Sequence, residues 1–573
     1  MTLLSFLVIC FLVTAGFTQV PLDPDAYVVF EKPIAKSNLL SNIGSSGTNA
    51  RDAAPGVVIA SADPDLFYTW TLDSSLVLRY LIDEFVSGGD TSLQSQIEDI
   101  VKAQIEIQQI PNPSGSPPLD GLGEPKFYVN KTAFLGEIGR PRRDGPAMRA
   151  ISMVAWANYH LSQKNISYVE NVLWPSIKLD LDYTSSNWNK TTYDIWGEVL
   201  SSSYWTSTVQ HRALRQGIAL GTAIGDTSIS DSYTNQAESL LSYWNTNEYM
   251  TANTGSGRRG LDGSTVLASI HAFDSSAGCD PITFQPCSDR ALANVHAYID
   301  SFSVFQTNYG VSKSKATSIG RYPEDKYMGG NPWYLAIFTT LSIVWKMQSS
   351  LSISPRFSDN AEVGTYSASS SSYISMTSDI HDYAEGFISV AAKATPSDGV
   401  LTEEYSRLSG YGGGFGQKPY SWSDVAVLTA FRARNGSSAE PWGAHEVSLS
   451  CSRQTGGWDP NTGLVTVDFY LHLDASWGGS AKPEPMLVMV YLSGSNEALG
   501  SWSTDKAIPL SPVNSPIWSV TLQVNANETF EYKYLTKWET TPPVWEGGSN
   551  RSLVLPGGGY MYQNDTWVRP VDG

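Results

Sequence analysis

Cysteine and basic side chains are scarce in this chain. Only four of its 573 residues are cysteine, and 56 Asp and Glu outnumber 37 Lys and Arg, so the formal net charge is −19. Nucleic-acid phosphates are bound by clustered Lys and Arg, and this charge balance therefore argues against a nucleic-acid partner. A strongly acidic surface instead suits a secreted protein that must stay soluble in mildly acidic surroundings.

Several signatures of metal, phosphate and nucleophilic chemistry are also missing. The sequence has no H-E-x-x-H pair, no Cys/His ligand spacing, no P-loop and no G-x-S-x-G elbow. Its seven His are scattered, which favours structural or surface roles for them. The sequence therefore predicts neither a metal site nor a cofactor.

Apolar runs long enough to cross a membrane are missing as well. The first apolar run extends from Leu3 to about Val13 and is followed by small residues, so it is too short for a bilayer. We predict a cleaved secretory signal over residues 1–19, although its usual basic start is missing, and no membrane partner. An extracellular route agrees with seven N-x-S/T sequons, at Asn130, Asn165, Asn189, Asn435, Asn527, Asn550 and Asn564.

The cysteines that are present predict one local disulfide. Cys10 leaves with the signal, whereas Cys279 and Cys287 lie close together in GCDPITFQPC. In an oxidising compartment this spacing predicts a disulfide that closes a loop. Cys451 remains, either free or paired with a group that the sequence does not reveal.

Tryptophan and tyrosine, in contrast, are abundant, with 18 and 29 residues. Their rings offer flat apolar faces with a polar group at one edge, and these faces match the C–H faces of sugars. A large core also uses aromatic side chains. Composition alone therefore supports a carbohydrate-binding surface and an ordinary core equally.

The spacing of apolar residues changes along the chain. From about residue 65 to 434, segments such as GPAMRAISMVAWANYHL repeat apolar residues at three- and four-residue steps, which predicts many helices joined by long polar loops. From Val447 onward, segments such as LVTVDFYLHLD alternate apolar and polar residues, which predicts a small β-sandwich. The predicted organisation is a signal over 1–19, a helical domain over 20–434, a linker over 435–447 and a β domain over 448–573.

Carboxylates near Trp and Arg side chains are the candidate chemistry. They occur in WTLDS, YDIWGEV, GRYPED and TEEYS, which lie between predicted helices. Hydrolysis of a glycosidic bond needs one carboxyl to protonate the leaving oxygen and another to activate water. Any one of these motifs is more often a helix end or a salt bridge, but their occurrence together favours a glycosidase.

A longer series of motifs occurs in order over residues 40–435, namely YTWTLDSSLVL, GLGEPKFYVN, GRPRRDGPAMRA, YDIWGEV, TVQHRAL, GCDPITFQPCSDRALAN, GRYPEDKYMGGNPWYL and LTEEYSR. This series closely resembles the fungal glucoamylases of glycoside hydrolase family 15. The resemblance implies a toroid of six inner and six outer helices, the (α/α)6 fold, with a pocket for the non-reducing end of starch. It also implies release of glucose with inversion, by a general acid and a general base.

The resemblance also implies roles for individual residues. The family's general base lies in a Ser-Glu-Gln-Tyr-like motif that matches TEEY, which makes Glu403 the residue expected to activate water. Asp194 matches an aspartate expected to support the acid electrostatically, and Glu198 is a further candidate catalytic carboxyl. The residues expected to bind the sugar are Trp70, Asp73, Trp196, Glu198, Arg321, Trp333 and Trp422.

Four positions depart from the family pattern in this one pocket. The family's Trp-Glu-Glu, whose first Glu is the general acid, reads Trp-Gly-Glu here, with Gly197 at the acid position. Leu72 replaces an arginine that grips the terminal glucose, Ile138 replaces a pocket tryptophan, and Leu66 replaces a tyrosine near the water site.

These departures argue against ordinary glucoamylase turnover. Loss of a positioned acid typically lowers the rate by about 10²–10⁴-fold, and loss of the arginine leaves sugar hydroxyls unbonded at a cost of roughly 1–3 kcal/mol. Glu198 is not expected to replace the acid, because consecutive helical residues differ by about 100° in direction.

The β domain resembles carbohydrate-binding module family 20 in the segments GSNEALGSWS, SPIWSVTLQV, FEYKYL and VWEGGSNRSLVLP. The resemblance implies a first starch site in which two tryptophans stack on glucose rings and three polar residues supply hydrogen bonds: Trp502, Trp545, Lys533, Glu531 and Asn550. A second site keeps Trp518 but lacks the usual tyrosines, with Met486 near one of their positions. Asn550 is also a sequon, and a glycan there would obstruct the first site.

Two functions follow from these expectations. One is a secreted exo-acting glucosidase of starch and maltooligosaccharides, slow or altered because of Gly197. The other is a pseudoenzyme that binds starch without hydrolysing it. In both, the expected partners are starch and other α-glucans, and the expected oligomeric state is a monomer.

Overall fold

The computed structural model describes residues 19–44, 46–243, 250–254, 260–348, 369–413, 416, 419–436, 441–444, 464–472, 489–514, 517–525, 527–538, 541–555 and 559–570. The predicted signal peptide (apart from Gln19), Cys451 and Met486 lie outside these residues. The chain divides into a helical unit, Met1–Trp188, Thr192–Ala252 and Gly260–Cys451, and a strand-rich unit, Asn189–Thr191, Asn253–Arg259 and Ser452–Gly573.

The helical unit is built from long helices. The described part of the chain contains twelve helices of nine residues or more: α1 Pro24–Ser41, α2 Thr71–Val86, α3 Gln94–Ile107, α4 Asp144–Ser162, α5 Trp174–Asn187, α6 Tyr204–Ile224, α7 Ser230–Tyr243, α8 Gly263–His271, α9 Asp289–Asp300, α10 Tyr334–Gln348, α11 Ser371–Ala394 and α12 Ser421–Arg434. A short helix, Ile166–Tyr168, and a π-helical turn, Val169–Leu173, lead into α5.

The even-numbered helices form a closed inner ring. Each of α2, α4, α6, α8, α10 and α12 contacts the next, and α12 contacts α2 to close the ring. The odd-numbered helices pack against this ring from outside, each against one or two inner helices. A single continuous core of buried apolar side chains joins the two layers. The predicted toroid of six inner and six outer helices is confirmed.

Caps determine where several helices begin and end. The side chains of Ser203, Asp262 and Ser370 accept hydrogen bonds from backbone amides in the first turns of α6, α8 and α11. These amides have no partner within the helix, so a capping oxygen stabilises each start. Helix α6 ends at Gly225, whose φ of 84° is the left-handed conformation that glycine adopts readily.

Several residues of the candidate site lie where inner helices begin. Trp70 directly precedes α2, Asp73 lies in its first turn, and Trp333 directly precedes α10. Trp422 is the second residue of α12, and Asp262 caps α8. The inner ring therefore positions these side chains on short connections and first turns, supported by rigid helices.

The predicted loop disulfide is confirmed. Cys279 and Cys287 are joined, with their Cα atoms 4.8 Å apart. The closed loop between them connects α8 to α9 in the helical unit.

Part of the segment predicted as a linker is anchored to the helical unit. The Asp274 carboxylate oxygen Oδ2 accepts hydrogen bonds from the backbone amides of Trp442, Gly443 and Ala444 at 2.9, 3.0 and 2.9 Å. The Trp442 indole N–H donates to the carbonyl of Ala272 at 3.1 Å. Residues 442–444 are thus part of the helical unit, and the boundaries at 435 and 447 stay predictions.

The strand-rich unit contains two sheets. Its described strands are β5 Leu464–His472, β6 Met489–Gly494, β7 Ile508–Pro509, β8 Ser511–Asn514, β9 Ile517–Asn525, β10 Thr529–Trp538, β11 Thr541–Trp545, β12 Arg551–Val554 and β13 Gly559–Thr566, and the helical unit adds four two-residue strands, β1 Thr69–Trp70, β2 Lys126–Phe127, β3 Thr192–Tyr193 and β4 Leu200–Ser201. One sheet has the order β11-β10-β6-β7 with β12 also on β10, and the other has the order β13-β5-β9-β8.

Strand alternation explains the core of this unit. Val467, Phe469 and Leu471 on β5 are fully buried at two-residue steps, so one face of the strand points inward. They pack in one apolar cluster with residues of the other sheet, such as Val490 and Tyr534. The predicted small β-sandwich is confirmed.

Among the residues that the structure describes, none of the helices combines the length and the apolar character needed to cross a membrane.

We predict that a buried ion pair between α4 and α5 stabilises the helical unit. Arg149 and Asp180 are 2% and 0% exposed and form two hydrogen bonds of 2.8 and 2.7 Å. Arg149→Met leaves the Asp180 charge buried without this partner, so the free energy of unfolding should fall by about 3–5 kcal/mol. Urea unfolding followed by far-ultraviolet circular dichroism measures this loss.

The double variant Arg149→Met/Asp180→Leu is the control. It removes both charges and keeps the volume apolar, so it should lie closer to the unmodified chain than the single variant does. Equal losses in the two variants would show that packing around Arg149, and not its charge, stabilises the helices.

Candidate active site

Gly197 lies in the turn of a short hairpin in the helical unit. Strands β3 and β4 pair antiparallel on either side of this turn. The Asp194 carboxylate oxygen Oδ1 accepts hydrogen bonds from the backbone amides of Glu198 and Val199 at 2.8 and 3.1 Å, and the Asp194 carbonyl accepts one from the Gly197 amide at 2.9 Å. Asp194 is 1% exposed. Its carboxylate therefore holds the turn in shape.

The backbone at Gly197 has a conformation that favours glycine. Its φ is 73°, in the left-handed region, where a side chain is disfavoured. A Cβ at this position would have no atom within 4 Å outside residues 196–198, so the space beside the turn is open. The position lacks a carboxyl, and the pocket has room for one.

Glu198 forms an ion pair with the guanidinium of Arg321. Its Oε1 lies 3.0 Å from Nη2 of Arg321, and its Oε2 accepts a hydrogen bond from the hydroxyl of Tyr322. Residues 196–198 form a hairpin turn, so the helical geometry expected for Glu198 is wrong. The two bonds direct the carboxylate towards Arg321.

Arg321 is the centre of a buried network. It is 4% exposed, and its Nε and Nη2 donate to the two carboxylate oxygens of Asp325, both at 2.7 Å. The guanidinium also lies 5.2 Å from the ring centre of Trp196, 5.1 Å from that of Tyr327 and 4.9 Å from that of Trp333. Paired charge and aromatic faces together compensate for removal of this cation from water.

Glu403 is a buried carboxyl that is joined to this network through Tyr327. It is 5% exposed, and its Oε2 accepts a hydrogen bond from the hydroxyl of Tyr327 at 3.1 Å. Burial raises the pKa of Glu403 to about 7, against the opposing effects of this hydrogen bond and of Arg321. A base with such a pKa can take a proton from water near neutral pH.

The neighbouring carboxyl, Glu404, also has a raised pKa. It is fully buried, and burial together with the charge of Glu403 raises its pKa to about 8. Burial and the charge of Glu403 both favour the neutral form of Glu404. A neutral carboxyl resembles the amide that the family motif has at this position.

Asp73 lies in the first turn of α2, directly after Leu72. Asp73 is 6% exposed, and burial raises its pKa to about 6, partly offset by the charge of Arg142. Leu72 is 3% exposed and packs in the helical core. At the position of the family's arginine, the chain thus has a core leucine that offers no hydrogen bond.

Tryptophan rings surround the network. The ring of Trp196 lies 5.9 Å from that of Trp333 and 5.8 Å from that of Trp422, centre to centre. The Trp196 indole N–H donates to Oδ1 of Asp262 at 2.9 Å. These three predicted sugar-binding tryptophans are therefore brought together with Arg321.

Trp70 belongs to an aromatic group around a lysine. The Lys126 ammonium lies 5.1 Å from the ring centre of Trp70, 3.7 Å from that of Tyr68 and 4.3 Å from that of Phe134. Burial lowers the pKa of Lys126 to about 8. The lysine holds these rings as a wall next to the start of α2.

The two other altered positions are half-buried. Leu66 ends the 3₁₀ turn Pro64–Leu66 and packs against the helical core. Ile138 lies beside Gly139, where a Cβ would approach the carbonyl oxygen of Gly197 to 2.4 Å. The loop that carries Ile138 therefore packs directly on the turn that carries Gly197.

The strand-rich unit brings the five residues of its predicted first starch site into one region. The rings of Trp502 and Trp545 lie 6.0 Å apart, centre to centre. The Lys533 ammonium donates to the carbonyl of Gly548 at 2.8 Å, and the Asn550 amide donates to Glu531 at 2.9 Å. Trp502 also has a φ of 62°, a strained conformation of the kind that occurs at binding sites.

Trp518 of the predicted second site is placed differently. It is 8% exposed and packs in the apolar core of the sandwich. Its ring therefore offers little free surface for stacking on a sugar.

Sequence reasoning missed three residues that complete the network: Tyr327, Tyr322 and Asp262. Their roles depend on contacts to residues far away in the sequence, such as Tyr327 with Glu403 and Trp196 with Asp262. The only available signal was that Tyr322 and Tyr327 lie inside the matched stretch around Arg321.

Comparison with known proteins assigns both units. The family model "Glycosyl hydrolases family 15" matches residues 33–432. The model "Starch binding domain" matches residues 487–564, within the strand-rich unit.

Individual relatives agree with these matches. The chain is 44% identical to Glucoamylase-1 of Schizophyllum commune over 95% of this chain and 96% of that protein. It is 38% identical to a glucoamylase of Neurospora crassa over 93% of this chain and 92% of that protein. The solved structure of the family 15 glucoamylase from Hypocrea jecorina matches with a TM-score of 0.71 and 34% identity, over 95% of this chain and all of that one. The chain therefore belongs to glycosyl hydrolase family 15, as a glucoamylase by family, and carries a starch binding domain.

Proposed function

We propose that this chain is a secreted, monomeric, inverting exo-glucosidase that binds starch, retains its general base and has lost its general acid. Hydrolysis of starch and maltooligosaccharides from their non-reducing ends is then slow. The observation that carries the proposal is the combination of a buried carboxyl at Glu403 with a turn at Gly197 that has no side chain.

The base half of the reaction is supported by the surroundings of Glu403. An inverting base takes a proton from the attacking water, so it needs a raised pKa and a fixed orientation. Burial supplies the first, and the hydrogen bond from Tyr327 supplies the second. Burial and the charge of Glu403 favour the neutral form of Glu404, so Glu404 adds little negative charge beside the base.

The acid half has no substitute carboxyl in the turn. Glu198 is adjacent to Gly197, but both of its oxygens are bonded to Arg321 and Tyr322. Asp194 is committed to backbone amides of the same turn. The leaving oxygen of a glucoside therefore has no donor from these side chains.

A second function, starch binding without hydrolysis, is favoured by the apolar positions of the pocket. Leu72 is buried in the core and Ile138 is half-buried. Both side chains are apolar, so neither can form a hydrogen bond with a sugar hydroxyl. Restoring the acid separates the two functions, because a pocket that does not hold the sugar gains nothing from a carboxyl.

Secretion is proposed on the apolar start of the chain and on its seven sequons. The proposed organisation keeps a signal over 1–19, a catalytic domain over 20–434, a linker over 435–447 and a starch-binding domain over 448–573. The proposed starch contacts are the face formed by Trp502 and Trp545 and its polar neighbours.

We predict that Gly197→Glu increases kcat/KM for maltose by about 10²-fold, the lower end of the effect of a positioned general acid. A side chain at a φ of 73° costs about 1–2 kcal/mol, which thermal unfolding should detect. Glucose release from maltose measures the gain.

Gly197→Ala is the matched control, because it carries the same backbone strain without a carboxyl. Its maltose hydrolysis should stay at the level of the unmodified chain. If maltose hydrolysis by Gly197→Glu also stays at this level, the pocket no longer binds the sugar productively and the pseudoenzyme function is correct. Rapid maltose hydrolysis by the unmodified chain contradicts the loss of the acid.

A pH profile with α-glucosyl fluoride tests the base, since fluoride leaves without a proton donor. Water attacks the anomeric carbon, the C–F bond breaks, and Glu403 takes the proton of the water. Only ionised Glu403 can do this, so kcat/KM should rise with pH up to about 7 and level off above it. A midpoint near the ordinary glutamate value, about 4.3, contradicts this assignment.

Tyr327→Phe is the control for this profile. The hydroxyl of Tyr327 lowers the pKa of Glu403 by bonding its charged form. Its removal should move the midpoint to higher pH. Glu403→Gln should abolish turnover of the fluoride at every pH.

Starch binding is predicted to depend on Trp502. Trp502→Ala removes one of the two stacking rings, so the affinity of the full chain for granular starch should fall at least about tenfold, ~1.4 kcal/mol. Sedimentation with starch granules measures the bound fraction. Val544→Ala, an exposed neighbour of Trp545 on the same strand, is the control and should bind normally. Unchanged binding by Trp502→Ala would place the starch-binding face elsewhere.

A further inference from the structure

We infer that N-glycosylation of Asn550 is a switch that turns off the starch-binding face of the strand-rich unit. The inference rests on the proposed secretion and starch binding and adds a modification site to them. One observation supports it: Nδ2 of Asn550, the atom to which a glycan would be attached, also donates a hydrogen bond within the face that would bind the glucan.

The side chain of Asn550 is accessible and oriented by the fold. It is exposed, and it lies between β11 and β12 at the start of the sequence Asn-Arg-Ser. Its Nδ2 donates to Oε2 of Glu531 at 2.9 Å. Nδ2 is the atom to which an N-linked glycan is attached.

Neighbouring contacts tie Asn550 to the rest of the face. Glu531 and Lys533 are two residues apart on β10, so their side chains point to the same side of the sheet. The Lys533 ammonium holds the carbonyl of Gly548, two residues before Asn550. The turn that carries Asn550 begins directly after Trp545, whose ring lies 6.0 Å from that of Trp502.

A glycan at this atom has two consequences. It replaces one of the two N–H groups of the Asn550 amide, so the amide nitrogen cannot donate to both Glu531 and a sugar hydroxyl. It also places a branched, strongly hydrated oligosaccharide beside the tryptophan pair, in the space that a glucan chain needs. Both effects weaken starch binding without disturbing the core, because Asn550 is exposed.

A second sequon in the same unit provides an internal comparison. Asn527 lies in the turn between β9 and β10, with a φ of 59°. None of the five residues of the face lies in that turn. A glycan at Asn527 should therefore leave starch binding unchanged, whereas a glycan at Asn550 should remove it.

The test uses the full chain secreted from a host that attaches N-glycans. The chain is separated on granular starch into bound and unbound fractions, and the occupancy of Asn550 and Asn527 is measured in each by peptide mass spectrometry. Ser552→Ala removes the Asn550 sequon but keeps Asn550, and Ser552 is exposed on β12. Thr529→Ala removes the Asn527 sequon in the same way. Enzymatic removal of the glycan by an amidase is avoided, because it leaves an aspartate beside Glu531.

We expect glycosylated Asn550 to be at least tenfold enriched in the unbound fraction and glycosylated Asn527 to be equally distributed. The Ser552→Ala variant should be found entirely in the starch-bound fraction. The Thr529→Ala variant should be distributed between the bound and unbound fractions as the unmodified chain is. Equal Asn550 occupancy in both fractions, or no occupancy in either, overturns the inference while starch binding stands. Failure of Ser552→Ala to bind starch overturns the proposed starch binding itself, and the switch with it.

Discussion

The buried guanidinium of Arg321 connects the parts of the candidate active site. It pairs with Asp325 through two hydrogen bonds, reaches Glu198 in the hairpin turn, and lies over the ring of Tyr327, whose hydroxyl bonds Glu403. A cation that is 4% exposed needs this set of partners. The same partners determine where the turn, the base and the tryptophan rings lie relative to one another.

This arrangement explains how the site would keep its shape if, as proposed, one catalytic group is absent. The turn around Gly197 is held by the Asp194 carboxylate and by the bonds of Glu198, none of which involves a side chain at position 197. A left-handed φ at Gly197 even favours the residue that is present. The carboxyl proposed as the base, Glu403, depends instead on its burial and on the hydrogen bond from Tyr327. In the proposed function, loss of the acid is therefore a local change.

Much of the fold was predictable from the sequence, because helical and strand periodicities differ and Val467, Phe469 and Leu471 alternate clearly. The closed ring of helices came from the resemblance and not from periodicity, since apolar spacing does not show which helices are neighbours. The site was predictable only in part. Glu403 and Arg321 lie in recognisable motifs, but the turn at Gly197 was treated as helical, and Tyr327 was missed because its bond to Glu403 spans 76 residues. Contacts between distant loops leave no local pattern.

The central claim is that this pocket has a working base and no acid. The most direct measurement is the ratio of kcat/KM for α-glucosyl fluoride to kcat/KM for maltose in the unmodified chain. Because the fluoride needs no proton donor, its kcat/KM should exceed that of maltose by about 10²–10⁴-fold, which is the range of the effect of a positioned general acid. A maltose value within about tenfold of the fluoride value would mean that another group protonates the leaving oxygen and would contradict the account.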